Sequence, residues 1–336
     1  MIDGHGDDLF LYGNRIEVNF STNIPQSADH AGLLAHLAGC GALFRNYPEP
    51  EPRSIEELLA GIHGIPAANV IVTAGATEAI YLLAHVYAHA ASTVLVPTFR
   101  EYQDACRLFG HSVRFSVSLD EVDGRTKTVW LCNPDNPTGR VRDRLALLRA
   151  ADRFPETLFI VDQAYAAYAA KAVLRIEDAV ARPNVMLLCS LTKRFCVPGL
   201  RIGYAVGSAS LIRRMRACRM PWSVNAVAVE AARYLLARAD DYPVDAAGIH
   251  SEAVRMVSSL SEIGFAAEPT DCHFFLAAMP DRTASELKEW LVGRHGLLIR
   301  DASNFEGLTP RHFRVAAQRP QENDLLINAL KEWNLH

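Results

Sequence analysis

The sequence shows no strong excess of charge of either sign. Its 34 Lys and Arg are set against 38 Asp and Glu, so there is no electrostatic reason to expect a nucleic acid or an anionic membrane as partner. Long hydrophobic runs are missing: none approaches the roughly 20 residues a membrane span needs. The opening Met1-Ile2-Asp3-Gly4-His5 lacks the basic and then apolar stretches of an export signal. The seven cysteines are odd in number and scattered, with no C-x-x-C pair, which speaks against both a disulfide framework and a zinc motif. Internal repeats and low-complexity linkers are absent as well. The expectation is a small-molecule enzyme of the reducing cytoplasm, with no metal. At 336 residues the chain is long enough for one large unit and one smaller one.

Apolar runs are frequent but short. Val70–Thr73, Thr93–Val96, Val113–Val117, Val129–Cys132, Leu158–Val161, Val185–Leu188 and Ile202–Val206 are mostly separated by stretches of helical period. Strands buried on both faces read as such continuous runs, so the pattern predicts an α/β fold, a mainly parallel seven-stranded sheet covered by helices. Its sites should lie at the carboxyl ends of the strands. Leu33, Leu34, Leu37 and Phe44 suggest a helix over 31–44, and Ser54 with Glu57 reads as a capping box opening a helix from Ser54 to His63. After Ser210 the pattern turns to helices, and the last 70 or so residues return to a compact α+β pattern. We expect a large domain over 40–240, and a smaller one built from 241–336 with an N-terminal arm, 1–39, that includes a short strand near Ile16–Phe20.

The chemistry gathers at the ends of these runs. Lys193, in Ser190-Leu191-Thr192-Lys193, is an ammonium delivered to the end of a buried strand. A Schiff base with an aldehyde cofactor, pyridoxal phosphate, would both remove and use that charge; a lysine snorkelling out of a loop is the simpler account of an isolated S-x-x-K. Asp162 closes the run Leu158–Val161, where it could pair with a protonated pyridine nitrogen or merely cap a helix. Tyr165, three residues on, could reach the ring hydroxyl of such a cofactor. Asn136, in Asn133-Pro134-Asp135-Asn136-Pro137-Thr138-Gly139, could donate to a phenolate oxygen, or the segment is only a turn. Gly75-Ala76-Thr77 opens a helix straight after a strand, an anion site in form, though a tight turn needs glycine anyway. Ser190, Thr192 and Arg201 could converge on the same phosphate. Phe99 could stack on the cofactor ring or belong to the core. Arg314, inside the apolar Phe313–Ala316, calls for a carboxylate, either a substrate's or an internal one. Arg300 and Arg319 flank it in sequence as candidates for a second anion.

Taken in order, Asn-Pro-x-Asn-Pro-Thr-Gly, Asp-x-Ala-Tyr and Ser-x-x-Lys followed by Gly-Leu-Arg-x-Gly-Tyr resemble the fold-type I pyridoxal phosphate enzymes of the class I/II aminotransferase family, over nearly the whole chain. The resemblance implies that Lys193 carries the cofactor, that Asp162 pairs with its ring nitrogen, and that Asn136 and Tyr165 hold its ring oxygen. It places the phosphate on Ser190, Arg201 and the backbone of Ala76 and Thr77, and the substrate carboxylate on Arg314. Tyr47, in Asn46-Tyr47-Pro48, matches a tyrosine that reaches a neighbouring subunit's phosphate, which implies a homodimer with shared sites.

Within the family, Met220 to Ala226, Leu298-Ile299-Arg300, Phe313 to Ala316 and Asn19 to Ile24 look most like the branch that decarboxylates a phosphorylated threonine for cobalamin biosynthesis. Asn23 and His5 then become candidate substrate contacts. That branch's His-Gly-Gly is His5-Gly6-Asp7 here, placing a negative charge beside a segment expected to meet the substrate phosphate. Histidinol-phosphate transamination to 2-oxoglutarate is the alternative reaction, and a cofactor-binding regulator without catalysis a third possibility.

Overall fold

The computed structural model describes residues 8–25 and 28–335; His5 lies outside them. Thirteen strands run in chain order among them: β1 Val18–Asn19, β2 Val70–Thr73, β3 Ala91–Leu95, β4 Ser112–Ser116, β5 Thr128–Cys132, β6 Leu158–Asp162, β7 Val185–Ser190, β8 Gly203–Val206, β9 Ala266–Ala267, β10 Phe274–Ala278, β11 Leu297–Leu298, β12 Arg300–Asp301 and β13 His312–Ala316.

All seven expected runs become strands of one sheet, in the order β2-β8-β7-β6-β5-β3-β4. Strands β4, β3, β5, β6 and β7 are mutually parallel, and β8 runs against both β2 and β7. This reversal matters for the site. Gly203, the first residue of β8, pairs with Thr73 and with Ser190, the last residues of β2 and β7. The start of β8 therefore meets the carboxyl ends of its neighbours, bringing Arg201 to the same edge as Asp162 and Lys193. Strands β5, β6 and β7 present apolar side chains to both faces, where they join separate clusters: Trp130, Ile160 and Leu188 on one side and Val129, Phe159 and Leu187 on the other. That two-sided burial is why these strands read as unbroken apolar runs.

A second, antiparallel sheet runs β12-β13-β10-β9. The N-terminal segment is stitched to this part of the chain. Strand β1 pairs in parallel with β11, Phe20 N donates to the Leu298 carbonyl at 2.8 Å, and Ala316 N donates to the Phe20 carbonyl at 3.0 Å. Just beyond, Asn19 Oδ1 accepts from the backbone N–H groups of Ser21 and Thr22. The chain is thereby turned so that Ser21, Thr22 and Asn23 face the cavity at the edge of the large sheet.

Two local expectations are corrected. The helix expected over 31–44 stops at Ala38, and a separate short 3-10 turn follows at Gly41–Phe44. No capping box opens the next helix, which begins at Arg53 after Pro52. Ser54 lies inside its first turn, with its hydroxyl donating to Glu49. Pro52, which has no N–H of its own to satisfy, stands at the helix entrance in place of a side-chain cap. Among the described residues no helix is long and apolar enough to cross a membrane.

Candidate active site

A cavity of about 220 Å³ opens at the carboxyl edge of the large sheet, lined among others by Lys193, Asp162, Asn136, Tyr165, Arg201 and Arg314. Three strands supply its floor. Strand β7 ends at Ser190, and the following helical turn Leu191–Arg194 raises Lys193 into the cavity, with Nζ 5.9 Å from the Tyr165 ring centre. Strand β6 ends at Asp162, which is 4 % exposed. Its carboxylate accepts from the Tyr102 hydroxyl at 2.8 Å and from Ala164 N at 2.9 Å. No helix starts there, so the capping alternative falls away. Burial pushes the Asp162 carboxyl above its usual range, and these two hydrogen bonds with the Lys193 charge oppose that rise. A carboxylate in such a place is best satisfied by a cation set against it, such as a protonated ring nitrogen.

Strand β5 leads into the loop that carries Asn136. Thr138 Oγ1 donates to Asp135 Oδ2 at 2.7 Å, Gly139 N to the Asp135 carbonyl at 2.7 Å, and Arg142 N to Asn133 Oδ1 at 2.7 Å. The loop is braced throughout, and it offers the Asn136 amide to the cavity. Asn136 Oδ1 in turn accepts from Arg314, whose second nitrogen donates to the Ser21 carbonyl. Arg314, on β13, is thus where the antiparallel sheet, the N-terminal segment and the large sheet meet. Burial pushes the Tyr165 hydroxyl far up, partly offset by the Arg314 charge and the Asn23 amide.

The anion cradle forms where β2, β7 and β8 meet. The helix Gly75–Val86 begins there, so the Ala76 and Thr77 N–H groups belong to the first turn, which has no carbonyl of its own to bond. Ser190 Oγ lies 2.8 Å from Thr192 Oγ1. Gly75 has φ +78, and a Cβ on it would come within 2.7 Å of the Arg201 guanidinium. A Cβ on Gly203 would meet the Cys189 carbonyl at 2.7 Å and Ala76 N at 2.9 Å. Both glycines leave room for a guanidinium, two hydroxyls and a helix start around one small space, an arrangement that fits a phosphate. With the lysine, the buried carboxylate and Phe99 on the cavity wall, the donor set matches pyridoxal phosphate group by group.

The remaining candidates are placed differently. Arg300 is the strand partner of Arg314 but does not line the cavity; its guanidinium donates to Asn304 Oδ1 at 2.8 Å, and burial lowers its pKa to about 10. Arg319 lies on the surface before the helix Pro320–Trp333, paired with Glu322, and lines another cavity. Beyond a turn next to β13, its side chain follows the helix start instead of the strand. Tyr47 is 85 % exposed and rests on Trp222, with ring centres 5.4 Å apart. Two residues escaped the sequence reading. Tyr102 sits one helical turn past Phe99, a spacing that could have suggested it. His273 is fully buried, its Nε2 donating to the Asn23 carbonyl at 3.2 Å and its ring 6.0 Å from that of Tyr165; nothing local marked it.

Fold and site together define a pyridoxal phosphate-dependent enzyme of fold type I. The profile of the aminotransferase class I and II family matches residues 15–330. The chain belongs to that family and uses its cofactor, pyridoxal phosphate. It is 30 % identical over 330 residues to the threonine-phosphate decarboxylase of Salmonella typhimurium, covering 94 % of this chain and 90 % of that one. To a histidinol-phosphate aminotransferase of Desulfitobacterium hafniense it is 28 % identical over 323 residues, 90 % of this chain and 87 % of the relative. Superposed on the crystal structure of L-threonine-O-3-phosphate decarboxylase from Porphyromonas gingivalis it gives a TM-score of 0.92, at 34 % identity over 95 % of this chain and 100 % of the other.

Proposed function

We propose that the protein decarboxylates L-threonine O-3-phosphate to (R)-1-aminopropan-2-yl phosphate and carbon dioxide, a step serving cobalamin biosynthesis in the cytoplasm. The observation that carries this reading is the likeness to a threonine-phosphate decarboxylase along the whole of that chain, at 34 % identity. Pyridoxal phosphate, when bound, supplies an electron sink for the pair left on Cα after a bond breaks.

The chain's own residues supply the rest. Lys193 holds the cofactor, Asp162 faces its ring nitrogen, and Asn136 and Tyr165 face its ring oxygen. Ser190, Thr192, Arg201 and the N–H groups of Ala76 and Thr77 receive its phosphate, with Gly75 and Phe99 shaping the space. Arg314, with Asn23 beside it, receives the substrate carboxylate, and Arg300 extends the positive field on the next strand. The bound cofactor would assist the breaking of one bond at Cα, and the grip of these side chains on the substrate's two anions would select which one. In decarboxylation the Cα–carboxylate bond breaks, carbon dioxide departs, and Cα takes a proton that Lys193 is placed to give. The segment 40–240 carries the cofactor in this reading, while Ser21, Thr22 and Asn23 of the N-terminal arm and Arg314 of the smaller domain face the substrate. Exposed Tyr47 reaches the phosphate of a partner subunit, making the enzyme a homodimer.

Transamination of a histidinol phosphate is the second reading, favoured by the 28 % identity to an enzyme of that name over 90 % of the chain. Incubation with L-threonine O-3-phosphate, with and without 2-oxoglutarate, separates them. Carbon dioxide released without any 2-oxo acid supports decarboxylation; amino transfer that requires 2-oxoglutarate, with no carbon dioxide, overturns it.

A further inference from the structure

Away from the cofactor cavity, the helix Ala31–Ala38 is thinly fastened. Leu33 is its one fully buried side chain, and Leu34 beside it is 65 % exposed. The helix crosses Ala226–Ala237 closely, since a Cβ on Gly32 would come within 2.8 Å of the Tyr234 hydroxyl. Three donors of different chemistry meet at this crossing. His36 Nε2 lies 2.8 Å from Glu230 Oε1, and Cys40 Sγ lies 3.9 Å from His36 Nε2. All three ligating atoms fall within 4.8 Å of one another. Tyr234 packs on the His36 ring with centres 4.7 Å apart, and Arg233 takes the other carboxylate oxygen of Glu230. The Oε1 atom is therefore left turned toward the histidine and the thiol.

We propose that His36, Cys40 and Glu230 form a binding site for a divalent cation of the zinc class, which clips the helix Ala31–Ala38 to the helix Ala226–Ala237. Zinc bonds of about 2.0–2.3 Å in a tetrahedron put neighbouring ligand atoms roughly 3.3–3.6 Å apart. Two of the separations, 2.8 and 3.9 Å, bracket that range, and the third, from Cys40 Sγ to Glu230 Oε1, is within 4.8 Å, so side-chain shifts of up to about an ångström close the tetrahedron. A sulfur, a nitrogen and an oxygen suit zinc, whereas magnesium and calcium take oxygen ligands. On binding, the Cys40 thiol proton passes to solvent as the Sγ–metal bond forms. The His36 ring hydrogen moves to Nδ1 as Nε2 takes the metal. Thiolate and carboxylate then neutralise the dication, and water completes the fourth position. His36 and Glu230 are part-exposed, with side chains 34 % and 18 % accessible, so the cation has a route in. None of the three lines the cofactor cavity.

The test uses the cofactor-loaded, chelator-stripped protein. Zinc is titrated against a chromogenic competitor and cobalt is followed by its thiolate charge-transfer band. Wild type should bind one zinc at this site and show the cobalt band. Cys40→Ser should abolish the band, and both Cys40→Ser and His36→Gln should weaken zinc binding by at least about 100-fold, the upper range for losing even an outer-sphere partner. Zinc should raise the melting temperature of wild type and of neither variant, with decarboxylase or aminotransferase turnover unchanged in all three. No zinc bound by wild type, affinity unchanged in both variants, or a cobalt complex without the thiolate band would each overturn the proposal.

Discussion

The Tyr102 hydroxyl donates to Asp162 Oδ2 at 2.8 Å, so the carboxylate at the end of β6 is braced by a helix 60 residues earlier in the chain. That helix, Glu101–Leu108, follows β3, and both partners are buried. The hydrogen bond favours the ionised form of Asp162 against the burial that raises its pKa. A phenylalanine at 102 would fill the same space and remove only the donor. Hydrogen bonds to charged groups are worth about 1.5–3 kcal/mol, so Tyr102→Phe should weaken pyridoxal phosphate about 10- to 100-fold. Equilibrium dialysis of the cofactor against the variant measures this, and an unchanged dissociation constant would remove Tyr102 from the site.

Lys193→Ala should abolish the visible absorbance of the covalently held cofactor, together with turnover. Asp162→Asn should retain that absorbance but lose turnover. Leaving one partner of a buried ion pair uncompensated costs about 3–5 kcal/mol, or roughly 10²- to 10⁴-fold. Spectra and single-turnover rates on the two variants separate covalent attachment from ring protonation.

Arg314→Lys keeps the charge and loses the fork that reaches both Asn136 and the Ser21 carbonyl. Because a lysine cannot reproduce bidentate geometry, KM for the amino-acid substrate should rise about 10- to 100-fold, while cofactor affinity stays within a few-fold. Parallel substrate kinetics and cofactor titration check this split. A change confined to cofactor affinity would assign Arg314 to the cofactor instead of the substrate.

His273 links acid stability to the site. Burial lowers its pKa to about 3, further helped by the Lys193 and Arg314 charges and opposed by its hydrogen bond to the Asn23 carbonyl. The unfolded chain takes up this proton near pH 6.5, so between about pH 6.5 and 3 the unfolded state holds more protons than the folded one. The contribution is therefore complete above pH 6.5 and is lost as pH falls through that window, at up to about 1.4 kcal/mol per pH unit. His273→Gln should flatten the fall in stability between pH 6.5 and 5 by that amount. Urea unfolding of both proteins at the two pH values is the measurement, and equal slopes would refute it.

The strand order was not readable, but the strands were, because β5, β6 and β7 are buried on both faces and carry no polar alternation. Lys193, Asp162 and Asn136 were readable for a related reason: each stands at or just past the carboxyl end of such a run, where a charged or amide group is costly without a ligand. Arg201 was legible through its motif, yet its arrival at the same edge depends on β8 running antiparallel, which an apolar run cannot announce.

Residues that act across elements stayed hidden. Tyr102 reaches Asp162 only because the helix after β3 packs over the end of β6. His273 is tied to the site only because the Asn23 carbonyl is brought to it from 250 positions away. Arg300 and Arg319 looked equivalent on either side of Arg314, but the first is turned onto Asn304 and the second is paired with Glu322 at the exposed start of the last helix. The scattered cysteines announced no metal motif, and His36 and Cys40 come near Glu230 only at a helix crossing. The amino-acid sequence by itself determined which strands are buried and which charged groups stand at their ends, since periodicity and desolvation act within a few residues. Only the tertiary structure decided which side chains meet, because hydrogen bonds and coordination depend on atoms within a few ångströms, whatever their separation along the chain.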